Sequence, residues 1–288
     1  MATSCAVSPP PSPTPVGDAY RQPVSSNPQP LRVAAIPRVP PPKIHGQSAI
    51  VVDIPSGRVL YAKNADVQRP VASTQKLITA LCVLDAGNID KEVTIESSDE
   101  ACEPTKLGLK AGDRYTRREL LKAMMVKSAN DIARALARDV GGSQESFAAI
   151  MNRKSASLGM RNSFFRNPNG LPIKGQYSTA RDLAIAARAI YHNPLIRSFT
   201  CTKSFTFHFN DGHTCEIRNT NKLLGRVPYC NGLKTGTTNA AGRCLVATGE
   251  LNGRSVIVVV LKSNTPHIWS DSSKLLSWAL ERPAPSGA

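Results

Sequence analysis

Three short runs in this chain combine residue types suited to acyl transfer. The first is Ser73-Thr-Gln-Lys76. On a helix, residues three apart share a face, so the Lys76 amine can reach the Ser73 hydroxyl. A serine needs a base beside it to act as a nucleophile. A lysine can be that base only when burial or nearby positive charge keeps it neutral. A serine at a helix start also lies beside free backbone N–H groups, which suit a developing oxyanion. The second run is Ser128-Ala-Asn130, in a short polar break between two helices. Its hydroxyl could relay a proton and its amide could hold a substrate carbonyl. The third, Lys234-Thr-Gly-Thr237, falls on a predicted strand before a turn. There Lys234 and Thr235 would bind an anionic carboxylate, and Gly236 would let a ligand come close to the backbone. A backbone N–H near Thr237 would supply the second oxyanion donor.

Taken singly, each run has an ordinary explanation: a helix cap, polar loop residues, or an exposed lysine on an edge strand. Jointly they describe one chemistry, because they occur in this order and each sits on the element its role needs.

The elements follow from hydrophobic period and end signals. Ser48–Asp53 and Arg58–Tyr61 flank Pro55-Ser-Gly57 as a predicted hairpin. Ser73 to Leu84 is apolar at helical spacing. Thr116-Arg-Arg-Glu119 is a capping box opening a helix through Met125. Further helices are predicted from Asn130 to Gly141-Gly142, from Ser143, and from Thr179 to just before Pro194. Strands then take over: Phe205–Phe209 and Cys215–Arg218 around Asn210-Asp-Gly212, then Leu233–Thr237 and Cys244–Thr248. Asn252-Gly253 is a hairpin signal leading into Ser255–Leu261, and a last helix runs from about Ser270 to Leu280. Strands at both ends with helices between predict an antiparallel sheet carrying helices, an α+β architecture.

The chain has 288 residues, 41% of them hydrophobic and 20% charged, enough for one large or two small domains with a real core. No apolar run approaches the roughly 20 residues needed to span a bilayer; the longest, Val256 to Leu261, is strand-sized. Lys and Arg number 36 against 21 Asp and Glu, a net charge of +15. Aromatics at 5%, no zinc-type Cys/His spacing and no basic run with interleaved stacking residues exclude a nucleic-acid partner. An acidic polymer, an anionic surface or simple solubility remain for the charge. Seven cysteines without a CxxC signal neither a metal site nor a redox dithiol. Cys5 stands apart. The other six either pair, in a connectivity sequence cannot choose, or stay as buried thiols.

Of the 22 prolines, 12 lie between Pro9 and Pro42. Residues 1–46 therefore read as a disordered, semi-rigid tether, and residues 47–288 as the catalytic domain. The tether carries four cations against one acid, which leaves +12 on the rest. Ala2-Thr-Ser-Cys5 resembles the end of a bacterial lipoprotein signal. The expectation is a lipid anchor at Cys5, with the apolar export segment trimmed and replaced by Met1.

Ser-x-x-Lys, a Ser/Asn triplet and Lys-Thr-Gly are the set shared by β-lactamases and penicillin-binding proteins. The chain resembles that superfamily, and most closely its low-molecular-mass D-alanyl-D-alanine carboxypeptidases. The likeness extends through Pro70-Val-Ala-Ser-Thr-Gln-Lys76, Ser128-Ala-Asn-Asp-Ile-Ala133, Asn167-Pro-Asn-Gly170, Gln176-Tyr-Ser-Thr-Ala-Arg-Asp182, Asn219-Thr-Asn-Lys-Leu-Leu224 and Gly232-Leu-Lys-Thr-Gly-Thr-Thr238. It covers about residues 47–281. Ala129 stands where many members have Gly. Lys262-Ser-Asn-Thr-Pro-His-Ile-Trp269 does not look like the family's usual stretch, where an Arg commonly follows the last strand.

The resemblance implies a five-stranded antiparallel sheet flanked by helices and a serine peptidase of peptidoglycan stem peptides, inhibited covalently by β-lactams. Ser73 is the expected nucleophile, Lys76 its base and Ser128 the proton relay. Asn130, Lys234, Thr235, Gly236 and Thr237 would bind substrate. No metal or organic cofactor is implied. The location would be the periplasm or cell envelope. Three alternatives differ in testable ways: a D,D-endopeptidase on cross-links, a class A-like β-lactamase, and an inactive wall-binding homologue. Class A enzymes need a Glu between the second and third motifs. Between Glu145 and Glu216 the only acids are Asp182 and Asp211.

Overall fold

A computed structural model describes residues 32–33, 39–102 and 104–281. In chain order the elements are β1 (Arg32–Val33), β2 (Ser48–Asp53), β3 (Arg58–Lys63), a 3-10 turn (Ala72–Gln75), α1 (Lys76–Asp85), β4 (Glu92–Thr94), α2 (Ser97–Glu100), β5 (Arg114–Thr116), α3 (Arg117–Lys127), α4 (Asn130–Gly141), α5 (Gln144–Ser157), α6 (Ala180–Tyr191), α7 (Pro194–Thr200), β6 (Ser204–His208), β7 (Thr214–Arg218), β8 (Cys230–Thr238), β9 (Gly242–Leu251), β10 (Arg254–Ser263) and α8 (His267–Leu280).

The expected five-stranded antiparallel sheet is present, in the order β3-β2-β10-β9-β8. The two-residue β1 adds to its outer edge, parallel to β3. β4/β5 and β6/β7 are separate two-stranded ladders. The apolar run of β10 is explained by cover on both faces. Ile257, Val259 and Leu261 enter the core beneath the helices that follow the 3-10 turn. Val256, Val258 and Val260 enter the core closed by α8. Each such side chain contributes about 1.5–3 kcal/mol on burial, so a strand at the centre of a two-sided sheet has no room for alternation.

The end signals act as their chemistry predicts. Thr116 and Glu119 form a reciprocal capping box on α3. Ser143 caps α5, and Thr179 caps α6 by accepting from the Asp182 N–H. Asn252 and Gly253 both have positive φ (50° and 74°), as a tight hairpin of this type needs.

Three expectations change. The run opening at Ser73 is not one α-helix: Ala72–Gln75 is a 3-10 turn and α1 starts at Lys76. Ala72 has φ 49°, a left-handed setting that costs a non-glycine about 1–2 kcal/mol. That bend directs the chain into the tight turn. The packed chain also begins before residue 47. The Trp278 indole donates to the Val39 carbonyl at 3.1 Å, and the His45 and Gly46 N–H groups donate to the buried Asp271 carboxylate at 2.9 and 2.8 Å. Residues 39–46 thus run along α8, against the expected tether. The rest of the tether, apart from Arg32–Val33, lies outside the described residues. The last helix starts three residues earlier than expected, at His267.

Among the described residues Cys82, Cys230 and Cys244 are buried free thiols, and Cys201 and Cys215 are exposed ones. No group of His, Cys, Asp or Glu among them could hold a metal ion, and no described helix is long and apolar enough to cross a membrane.

Candidate active site

Three elements converge where the motifs lie. The 3-10 turn presents Ser73 and feeds Lys76 into α1. The α3–α4 break presents Ser128 and Asn130. β8, at the edge of the main sheet, presents Lys234 to Thr237.

Lys76 is fully buried and its Nζ has three neighbours: Ser73 Oγ at 2.8 Å, Asn130 Oδ1 at 2.8 Å and the Asn169 carbonyl at 2.6 Å. Burial first, and the Lys234 charge second, hold its pKa well below the ordinary lysine value. A neutral amine has two N–H groups and one lone pair. Asn130 Oδ1 and Asn169 O can only accept, so they take both N–H groups. The lone pair is left facing the Ser73 hydroxyl. This is the geometry of a base aimed at a nucleophile.

Ser128 closes α3 with φ 68°, a left-handed cap. Strain of this kind in a non-glycine collects at functional sites. It turns the hydroxyl toward Lys234, whose Nζ donates to Ser128 Oγ at 2.8 Å. Lys234 is itself buried, and burial lowers its pKa to about 7. Burial thus disfavours the charged form of both lysines, and the Lys234 charge further opposes a proton on Lys76.

Gly236 differs from its expected part. A Cβ there would lie 3.0 Å from the Ser73 N, the Thr74 N and the Val71 O. The missing side chain admits the protein's own Ser73 turn against the edge strand, which sets the hydroxyl beside β8. Thr235 is bonded through its hydroxyl to Thr220 Oγ1 at 2.6 Å, and Thr237 Oγ1 accepts from Arg243 at 3.0 Å. The Asn130 amide is engaged on both sides, with Oδ1 accepting from Lys76 and Nδ2 donating to the Pro104 carbonyl.

Sequence reasoning missed Asn169, Thr220 and Arg243. Asn169 acts through its backbone oxygen, which no side-chain pattern reports. Its loop is pinned by amides: the Gly170 N–H donates to Asn167 Oδ1 at 2.8 Å, the Leu171 N–H donates to Asn169 Oδ1 at 3.0 Å, and Thr79 Oγ1 donates to the Pro168 carbonyl at 2.6 Å. The available signal was the turn chemistry of Asn-Pro-Asn-Gly itself.

The two acids between Glu145 and Glu216 are used elsewhere. Asp182 accepts from the Asn162 N–H and the Ser163 hydroxyl, and Asp211 is held to His213 in the β6–β7 turn.

The fold and this convergence of a serine, a buried lysine and a cationic edge strand define a serine acyl-transfer enzyme of the penicillin-binding type. A family model for D-alanyl-D-alanine carboxypeptidases matches residues 35–265, and the chain belongs to that family. It is 34% identical over 225 residues to the D-alanyl-D-alanine carboxypeptidase DacF of Bacillus subtilis, covering 76% of this chain and 58% of that protein. It is 34% identical over 255 residues to the D-alanyl-D-alanine endopeptidase of Escherichia coli, covering 86% and 81%. The crystal structure of a D-alanyl-D-alanine carboxypeptidase from Mycobacterium tuberculosis is similar with a TM-score of 0.82 at 32% identity, covering 88% and 99%.

Proposed function

We propose that the protein is a serine D-Ala-D-Ala carboxypeptidase acting on peptidoglycan stem peptides through an acyl-enzyme on Ser73. One observation carries this: the Lys76 amine, buried and with its pKa held well below the ordinary lysine value, lies 2.8 Å from the Ser73 hydroxyl with its other two contacts fixed on carbonyl oxygens. Lys76 takes the Ser73 proton as the oxygen attacks the penultimate D-alanine carbonyl. The N–H groups of Ser73 and Thr237 hold the oxyanion, each such donor contributing about 2.7–4 kcal/mol to the transition state. Ser128, held by Lys234, passes a proton to the leaving D-alanine. Asn130 keeps Lys76 in place and its amide holds the stem-peptide carbonyl. Water then releases the acyl group.

β-Lactams would acylate the same serine and leave slowly, because among the described residues no carboxylate is hydrogen-bonded to Ser73, Lys76 or Ser128 to activate a deacylating water. A purified sample should show a persistent penicillin adduct and little turnover of a chromogenic cephalosporin. Rapid turnover would overturn the carboxypeptidase reading in favour of a lactamase. An inactive wall-binding homologue would give no adduct at all.

Endopeptidase cleavage of cross-links uses the same residues, and a relative is named for it. Mass spectrometry of muropeptides after incubation separates the two: loss of one alanine, or a split dimer. The substrate places the protein in the envelope. A lipid anchor at Cys5, outside the described residues, would hold it at the membrane. Incorporation of labelled fatty acid by the product of the genomic reading frame, and its loss in Cys5→Ala, tests that point.

A further inference from the structure

Asn130 helps set the direction of the Lys76 lone pair, yet Asn130 is itself held by groups outside the three motifs. Its Oδ1 accepts from Lys76 at 2.8 Å, its Nδ2 donates to the Pro104 carbonyl, and its backbone N–H donates to the Thr105 carbonyl at 2.8 Å. Pro104, Thr105 and Lys106 are exposed, so packing does little to hold this loop. Thr105 also has φ 64°, a left-handed setting that persists in a non-glycine only where the surroundings enforce it.

Asp131 supplies that enforcement. It is 1% exposed. Its carboxylate accepts from the Gly108 N–H at 2.8 Å, from the Leu107 N–H at 2.9 Å to one oxygen and 3.1 Å to the other, and from the Ile132 N–H at 2.9 Å. Hydrogen bonds from N–H groups to a carboxylate are stronger than those between neutral partners. Asp131 lies in the first turn of α4, where the helix dipole favours an anion. One carboxylate thus ties the loop to the helix that opens with Asn130. Asp131 also brings negative charge toward the two lysines. Burial and Lys234 oppose a proton on Lys76, while Cys102 and Asp131 favour one.

We propose that Asp131 is a positioning residue for the acyl transfer: it clamps residues 104–108 around Asn130 and so fixes the Asn130–Lys76 bond that aims the base at Ser73. Its effect passes through Asn130 rather than through contact with substrate. The inference rests on the carboxypeptidase reading above.

The test follows acylation of the full chain by benzylpenicillin across pH, in the wild type, Asp131→Asn and Asp131→Glu. Asparagine turns one carboxylate oxygen into a donor, which then faces backbone N–H groups. Acylation of Asp131→Asn should slow about ten- to a hundredfold, the scale of a small misplacement of reacting groups. The acid limb of its profile should move to lower pH, because Lys76 loses a charge that favoured its proton. Hydrogen exchange at the Leu107, Gly108 and Asn130 amides, slow in the wild type, should quicken. Asp131→Glu keeps the charge, so it should recover part of the rate and hold the limb near its wild-type position. A wild-type rate in Asp131→Asn, or a limb that stays in place or moves to higher pH, would overturn the inference and leave Asp131 a support of the fold. Freely exchanging amides in the wild type would overturn it too, with no variant needed. If the wild type forms no penicilloyl adduct, the carboxypeptidase reading fails and takes this inference with it.

Discussion

The Lys76 amine donates to the backbone carbonyl of Asn169, 93 residues further along the chain, at 2.6 Å. That bond fixes the direction of the lysine lone pair, since Asn130 Oδ1 takes the other N–H. The loop bearing Asn169 therefore positions the proposed base as much as the helix bearing Lys76 does.

Its most exacting position is Gly170. The residue has φ 89°, and a Cβ there would sit 2.2 Å from the Ala72 carbonyl oxygen and 2.8 Å from the Ser73 N. Gly170→Ala should lower stability by about 2–4 kcal/mol, combining the left-handed penalty with overpacking. Penicillin acylation should slow at least about tenfold, since both Ala72 and Asn169 must move. Thermal melts and stopped-flow acylation check this. A variant with wild-type melting and acylation would show that the loop is not coupled to the nucleophile.

The two lysines make a prediction about pH. Lys76 must be neutral to act, so acylation rises as pH rises through its lowered pKa. The positive charge of Lys234 is the second cause of that lowering. Lys234→Met removes the charge while keeping an apolar stem of similar length. Lys76 then holds its proton more readily, and the acid limb of the acylation profile should move to higher pH. An unmoved limb, or a shift to lower pH, would contradict the electrostatic link. The rate on the plateau should fall as well, because Ser128 loses its partner.

Thr220 tests the support beneath the third motif. Its hydroxyl bonds to Thr235 and its N–H donates to the Val126 carbonyl at 3.2 Å, so it links the end of α3 to the edge strand. Thr220→Val keeps the shape and removes one hydrogen bond, a change of about 0.5–1.5 kcal/mol. KM for a free-acid stem peptide should rise several-fold with kcat nearly constant. An equal fall in kcat with KM unchanged would assign Thr220 to the chemical step instead.

Much of the site was legible because its key groups are side chains at fixed local spacing. Ser73 and Lys76 lie three apart, and Ser128 and Asn130 flank a helix break. Lys234 to Thr237 alternate along one strand. The sheet was legible for the same reason: the apolar run of β10 and the Asn252-Gly253 turn are local signals. What stayed hidden depends on contacts between distant segments. Asn169 contributes a carbonyl oxygen that every residue has. Thr220 and Arg243 matter only through the strands and loops they meet. The 3-10 turn at Ala72–Gln75 has the same apolar spacing as a helix over so short a run, and only the packing of Gly236 and Gly170 against it fixes the tighter geometry. Elements of three or four residues, β4, β5 and α2, fall below the length at which a period can be read.

The central claim is that Ser73 is the nucleophile and Lys76 its base. Intact-protein mass spectrometry after incubation with benzylpenicillin, followed by peptide mapping, tests it most directly. The wild type should gain one penicilloyl adduct on the Ser73 peptide, Ser73→Ala should gain none, and Lys76→Met should be labelled about 10²–10⁴-fold more slowly while remaining folded. An adduct that persists in Ser73→Ala, or a Lys76→Met variant labelled at the wild-type rate, would contradict the account.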